Sequence, residues 1–162
     1  MTTRLCCDVL NALKGRTLVT AESCTGGGIG AALTAIPGSS SVYKGGIISY
    51  TNWVKENILG VDSALLRDFG AVSSPVAQAM AIGARKCLQA DVAVSVTGLA
   101  GPGGDDYGNT VGTVFIGYSN AICTVSREYH FSGDRESVRQ QAILAALNLI
   151  LKIESGNTQE EI

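Results

Sequence analysis

An apolar run, Thr17-Leu18-Val19, leads directly into Thr20-Ala21-Glu22-Ser23-Cys24-Thr25-Gly26-Gly27-Gly28-Ile29-Gly30, and an apolar pattern at helical spacing follows. That succession reads as a strand, a tight glycine turn and a helix N-terminus, the unit from which α/β domains are built. The first N–H groups of a helix lack intrahelical partners, and the helix dipole favours an anion beside them. Ser23 sets a hydroxyl at the same spot, which suits a nucleophile next to an anion-stabilising turn. A plainer role is open to the same residues, since Ser and Thr are ordinary N-caps and either Ser23 or Thr25 could only cap the helix. Gly26-x-Gly28-x-x-Ala31 also fits the dinucleotide fingerprint. Such a site needs an acidic residue about 20 positions on, at the end of the next strand. No Asp or Glu lies between Glu22 and Glu56, so a dinucleotide site is discounted.

The rest of the chain extends this unit. Leu5, Val9, Leu10 and Leu13 predict a helix over 3–14, ended by Gly15. A strand follows over 16–21, then a helix over 25–35 that stops at Pro37-Gly38. Residues 42–50 read as a strand, 51–59 and 62–69 as short helices. Ser74-Pro75 starts a helix to about Leu88, with Ser74 as the N-cap. Residues 91–97 form a near-continuous apolar strand, and 98–108 a glycine-rich loop. Residues 110–118 and 122–131 make a hairpin through Ser119-Asn120-Ala121. Gly133-Asp134 opens a last helix over 136–152, and the tail from Glu154 is expected to fray. The order predicts an α/β fold, a three-layer α/β/α sandwich on a mixed, mainly parallel five-stranded sheet. It occupies one domain, 1–153, with a polar tail over 154–162. Loops at strand C-termini gather the ligand site in such sheets, which selects 22–28, 50–55 and 97–108.

Composition narrows the function classes. The 162 residues are 46% hydrophobic and 16% charged, as in a globular domain. Net charge is −2 and no basic block occurs, which argues against a nucleic-acid surface. No apolar run reaches membrane-spanning length and no signal-peptide pattern opens the chain. Cys6, Cys7, Cys24, Cys87 and Cys123 include no C-x-x-C pair or metal-like spacing. A reduced, cytoplasmic protein with mostly buried thiols is the expectation, without metal or cofactor. The single histidine, His130, ends an alternating strand, where a structural role is the commoner one.

With His130 remote, Ser23 needs another base. Lys55 is the one basic residue in the three selected loops. A lysine acts as a base when burial or a neighbouring cation lowers its pKa; otherwise it is a solvated lysine on a short helix. Ser41-x-x-Lys44 resembles the motif of penicillin-recognising enzymes, but it enters a strand, where residues three apart face opposite sides. Its companion motifs are absent.

Six ordered motifs carry a wider resemblance: Ala21-Glu22-Ser23-Cys24-Thr25-Gly26-Gly27, Pro37-Gly38-Ser39-Ser40, Ile48-Ser49-Tyr50-Thr51-Asn52, Gly70-Ala71-Val72-Ser73, Thr97-Gly98-Leu99-Ala100-Gly101-Pro102 and Phe131-Ser132-Gly133-Asp134-Arg135. Over roughly Leu5 to Leu151 the chain resembles the C-terminal domain of the CinA (competence/damage-inducible) proteins. That domain also occurs alone as nicotinamide-mononucleotide deamidase. Larger members add a domain similar to molybdopterin-binding proteins; this chain has no room for it and resembles the stand-alone form. The resemblance implies a Ser/Lys amidohydrolase that converts nicotinamide mononucleotide and water to nicotinate mononucleotide and ammonia.

On that resemblance the nucleophile falls on Ser23 and the lysine on Lys55. Tyr50 would orient Lys55 or relay a proton, and Thr97 and Gly98 would lie near the developing oxyanion. Ser40 and Asn52 are carried over with the substrate-binding motifs. The nucleotide phosphate would meet Thr25, Gly26 or Gly27, or else Arg135 or Arg139, whose plainer reading is a solvated helix face. Trp53 or Tyr107 would face the pyridinium ring. Loop 103–109 departs from the family pattern and could alter substrate preference. No metal, cofactor, nucleic acid or membrane is implied, and a homo-oligomer stays open. Two other classes remain: a non-catalytic nucleotide-binding regulator, and a hydrolase using Cys24 at the helix N-terminus.

Overall fold

The computed structural model describes residues 1–156. Five strands form one sheet in the order β2-β1-β3-β4-β5. They are β1 (Leu18–Glu22), β2 (Tyr43–Ile48), β3 (Val92–Gly98), β4 (Thr113–Ser119) and β5 (Thr124–His130). β1 pairs parallel with both β2 and β3, while β4 pairs antiparallel with β3 and β5. The architecture is the α/β sandwich on a mixed sheet that the element order implies. Because β2 lies on one side of β1 and β3 on the other, the chain reverses direction across the sheet there. The C-terminal ends of β1 and β3 flank this switch point, where open α/β sheets place their ligands.

Strand periodicity sorts the two faces. Leu18 of β1 and Val92, Val94 and Val96 of β3 pack with α1 (Thr2–Ala12), α2 (Gly28–Thr34) and α6 (Arg135–Glu154). Val19, Ala21 and Ala93 pack on the other face with α4 (Ser63–Phe69) and α5 (Ser74–Leu88). The short α3 (Asn52–Asn57) follows β2. Gly83 permits the close passage of α5 against the segment after α3, since a Cβ there would sit 1.9 Å from the Leu59 carbonyl oxygen. Exchange of an exposed helical Gly for Ala stabilises by up to about 1 kcal/mol. Here Gly83→Ala is expected to do the reverse, by roughly 1–3 kcal/mol, because two backbones must separate. A fall in thermal midpoint checks the sign.

Element bounds shift by up to three residues from the sequence expectation, and two helix ends are read differently. Ser73, not Ser74, is the N-cap of α5, and its Oγ donates to the Gly70 carbonyl (2.8 Å). A one-residue offset is within the reach of Ser-Ser-Pro, where either serine can precede the first turn. The helix also continues through Glu154, which was expected to begin the frayed tail. Its carboxylate accepts bonds from Arg16 and Tyr118, and so holds the last turn. Of the expected tail over 154–162, residues 157–162 lie outside the described residues. No helix among the described residues is long and apolar enough to cross a membrane.

Candidate active site

β1 ends at Glu22, and the chain turns sharply through Ser23 to Gly27 before α2 begins. Gly26 (φ +58) and Gly27 (φ +98) take the left-handed backbone that this turn requires. The Ser23 N–H donates to the Val96 carbonyl (2.9 Å), so the residue remains fastened to β3 as the chain leaves the sheet. Alternation along β1 sends Glu22 toward α2 and Ser23 toward α3. Thr51 opens α3, its Oγ accepting from the Val54 N–H. One turn later Lys55 points inward and is 1% exposed, whereas Trp53 is 65% exposed.

Lys55 Nζ donates to Ser23 Oγ (3.0 Å) and to the Ser49 carbonyl (2.7 Å). No carboxylate among the described residues is bonded to it. Burial disfavours the ammonium form and lowers its pKa from 10.5 to about 8. An appreciable fraction of Lys55 is therefore neutral at physiological pH. Neutral Nζ can keep its bond to Ser49 while its lone pair faces the Ser23 hydroxyl. The pairing supplies a nucleophile and a base in contact, the arrangement that activates a serine.

The pair opens into a cleft of about 360 Å³, lined also by Tyr50, Asn52, Ala71, Val72, Thr97, Gly98, Gly101 and Arg135. All three loops selected from the sequence contribute. Thr97 Oγ donates to the Ala71 carbonyl (2.8 Å), which fixes that wall and commits the hydroxyl proton away from any oxyanion. Gly98 lies where a Cβ would meet Val114 at 2.6 Å. Arg135 donates to the Gly101 carbonyl (2.7 Å) and to the Tyr50 hydroxyl (3.2 Å), drawing two loops together at the mouth. Tyr50 is thus bonded to Arg135, not to Lys55; the Ser49 carbonyl orients the lysine.

The CinA C-terminal domain is matched by residues 3–153. The chain belongs to that family. A CinA-like protein of Mycolicibacterium gilvum is 46% identical over 150 residues, which cover 92% of this chain and 36% of that protein. One from Parasynechococcus marenigrum is 48% identical over 138 residues, covering 83% and 33%. The chain therefore spans about a third of the length of these curated relatives. The crystal structure of a competence-damaged protein (CinA) superfamily protein from Klebsiella pneumoniae matches with a TM-score of 0.93 at 33% identity, covering 96% of this chain and 99% of that one. A competence/damage inducible protein from Agrobacterium tumefaciens matches at 0.90 and 36% identity, covering 94% of each chain.

Several residues carried over from the CinA resemblance lie elsewhere. Ser40 is in the short 3-10 turn before β2, at the opposite end of the sheet from Ser23. Thr25, Gly26 and Gly27 do not line the cleft. Glu22 takes the Ile29 and Gly30 N–H groups, and the Gly26 and Gly28 N–H groups bond to the Ser23 and Thr25 carbonyls. Part of the helix start is thus occupied from within the chain, while the Thr25 and Gly27 N–H groups bond to no described residue. Arg139 clamps the turn, donating to the carbonyls of Cys24 (3.0 Å) and Thr25 (3.3 Å), and stands outside the cleft. Of the proposed aromatic contacts, neither Trp53 nor Tyr107 lines the cleft; Tyr50 does. Tyr107 packs over Gly70 and donates to the Arg67 carbonyl (2.8 Å), which anchors loop 103–109 on α4.

Cys24 is 5% exposed and packs in the apolar layer with α1, α2 and α6. Desolvation raises its thiol to about 11, so it is protonated at neutral pH and a poor nucleophile. His130 bonds Glu128 on the far strand β5. Sequence reasoning missed Glu22 and the clamp by Arg139. Gly27 provides no side-chain cap for α2, and its first turn has no acidic residue. The sequence offers Ser23 or Thr25 as the cap, but the N-cap is Gly27, and Glu22 takes the donors of the first turn instead.

Proposed function

We propose that this domain is a Ser/Lys amidohydrolase, with nicotinamide mononucleotide as its substrate. The observation that carries the proposal is the 3.0 Å contact between Ser23 Oγ and a buried lysine that has no acidic partner among the described residues. Neutral Lys55 takes the Ser23 proton as the hydroxyl attacks the carboxamide carbon. A tetrahedral intermediate forms, and the Cys24 N–H, beside the nucleophile, is the backbone donor proposed for its oxyanion. It makes no hydrogen bond to another described residue. The Lys55 ammonium returns its proton to the leaving nitrogen, and ammonia departs. Water, deprotonated by Lys55, then cleaves the Ser23 ester and releases the carboxylate product.

Arg135, at the cleft mouth, is the side chain proposed to meet the phosphate. If it does, kcat/KM for the mononucleotide should exceed that for the riboside by about 10²-fold or more, and Arg135→Gln should narrow the gap. Equal kcat/KM for the two substrates would reopen the substrate class. Initial rates of ammonia release from purified protein provide the test.

A base that works in its neutral form sets the pH dependence. Because Lys55 loses its proton near 8, kcat/KM is expected to rise through that pH and then level off. At pH 7 it should lie about tenfold below the plateau. A rate that falls as pH rises from 6 to 9 would contradict a neutral lysine base.

A further inference from the structure

We propose that Glu22 is the positioning residue for the Ser23–Lys55 pair; the inference rests on the hydrolase assignment above. Its side chain is 2% exposed. One carboxylate oxygen accepts from Thr25 Oγ (2.8 Å) and the Ile29 N–H (2.8 Å). The other accepts from the Gly30 N–H (3.1 Å) and Thr20 Oγ (3.1 Å). Thr20 is held in turn by the Tyr43 hydroxyl at 2.9 Å. A single side chain thus ties β1 to the first turn of α2, across the turn that presents Ser23.

Its backbone reaches the base. The Glu22 carbonyl accepts from the Ser49 N–H (2.8 Å), and the Ser49 carbonyl accepts from Lys55 Nζ (2.7 Å). Ser23 is therefore one residue from Glu22, and Lys55 is two hydrogen bonds from it. Both partners take their register from the same point. The carboxylate lies on the α2 face, away from the cleft, so it acts through the geometry of the pair and not on the substrate. Gly30 leaves the room this needs: a Cβ there would stand 2.6 Å from the Tyr43 hydroxyl.

Glu22→Gln tests the role. The amide keeps the volume and one acceptor oxygen, but its NH₂ cannot accept from Gly30. Four quantities are read: labelling of Ser23 by a serine-directed fluorophosphonate, kcat and KM for amide hydrolysis, and the pH midpoint of the rate. Labelling and kcat, each per folded molecule, are expected to fall by about tenfold or more, because small misplacements of a nucleophile slow attack strongly. KM should stay within about twofold, and the midpoint near 8, since the burial of Lys55 is unchanged. A folded Glu22→Gln protein with wild-type labelling and kcat, altered only in melting temperature, would reduce Glu22 to a helix cap and overturn the proposal. If that variant does not fold, Thr25→Val removes one donor to the same carboxylate at constant volume. A fall of about threefold or more in its labelling supports the role; unchanged labelling overturns it. Wild-type protein that is not labelled at Ser23 overturns the hydrolase assignment and the role together. Labelled wild type with unaltered variants overturns the role alone.

Discussion

Ser23→Ala is expected to reduce turnover by about 10³-fold or more while the protein stays folded. The hydroxyl is the reacting group of the proposal, and among the described residues no other serine or threonine side chain is bonded to Lys55. The loss of Oγ removes one hydrogen bond at the edge of a cleft and opens no large cavity, so the melting temperature should change little. Cys24→Ala should retain most of the activity, because that thiol is buried and protonated. Ammonia release and thermal melts on the two variants check this pair of outcomes. Near-normal turnover by Ser23→Ala would remove the nucleophile from the scheme. Loss confined to Cys24→Ala would restore the thiol alternative.

Lys55 carries the second large effect. Lys55→Arg is expected to be nearly inactive, because a guanidinium stays protonated at any working pH and cannot take the serine proton. Lys55→Met should be equally inactive, yet more stable than wild type at neutral pH. The lysine loses its proton near pH 8 in the folded chain but near 10.5 when unfolded. Between those values the unfolded state binds more protons, so wild-type stability rises with pH across the window; below pH 8 the full desolvation penalty is present. Met removes that penalty but leaves the Ser49 carbonyl without its bond. The net gain at pH 7 is expected to be roughly 1–3 kcal/mol, shrinking as pH approaches 10. Denaturant melts of both proteins at pH 7 and pH 10 measure it. A functional residue that destabilises its own fold is the expected trade at a site built for chemistry.

Much of this site could be read from local patterns. The near-continuous apolar run of β3 and the Gly26-Gly27 turn placed Ser23 and Thr97 at strand ends. The scarcity of basic residues in three loops selected Lys55. What eluded the sequence was long-range pairing. Nothing local to Glu22 shows that its carboxylate caps a helix seven residues on, and nothing local to Arg139 shows that it holds carbonyls 115 residues away. The position of Ser40 was hidden for a related reason. A motif can recur with a family and still sit at the far end of the sheet, since parallel strands put a strand's entry and exit on opposite edges. Tyr50 reached the cleft as expected but found Arg135 as its partner. The side chain of α6 that meets it is fixed by packing, which periodicity does not encode.

In the proposed mechanism Ser23 forms a covalent acyl intermediate with the help of neutral Lys55. Rapid quenching of purified protein with nicotinamide mononucleotide at pH 8, followed by mass spectrometry of its peptides, tests it most directly. The mass of the acyl group is expected on the peptide containing Ser23, localised to that residue, formed at a rate no slower than turnover and missing from Lys55→Arg. Ammonia release with no adduct on Ser23, or with the adduct on Cys24, would contradict it.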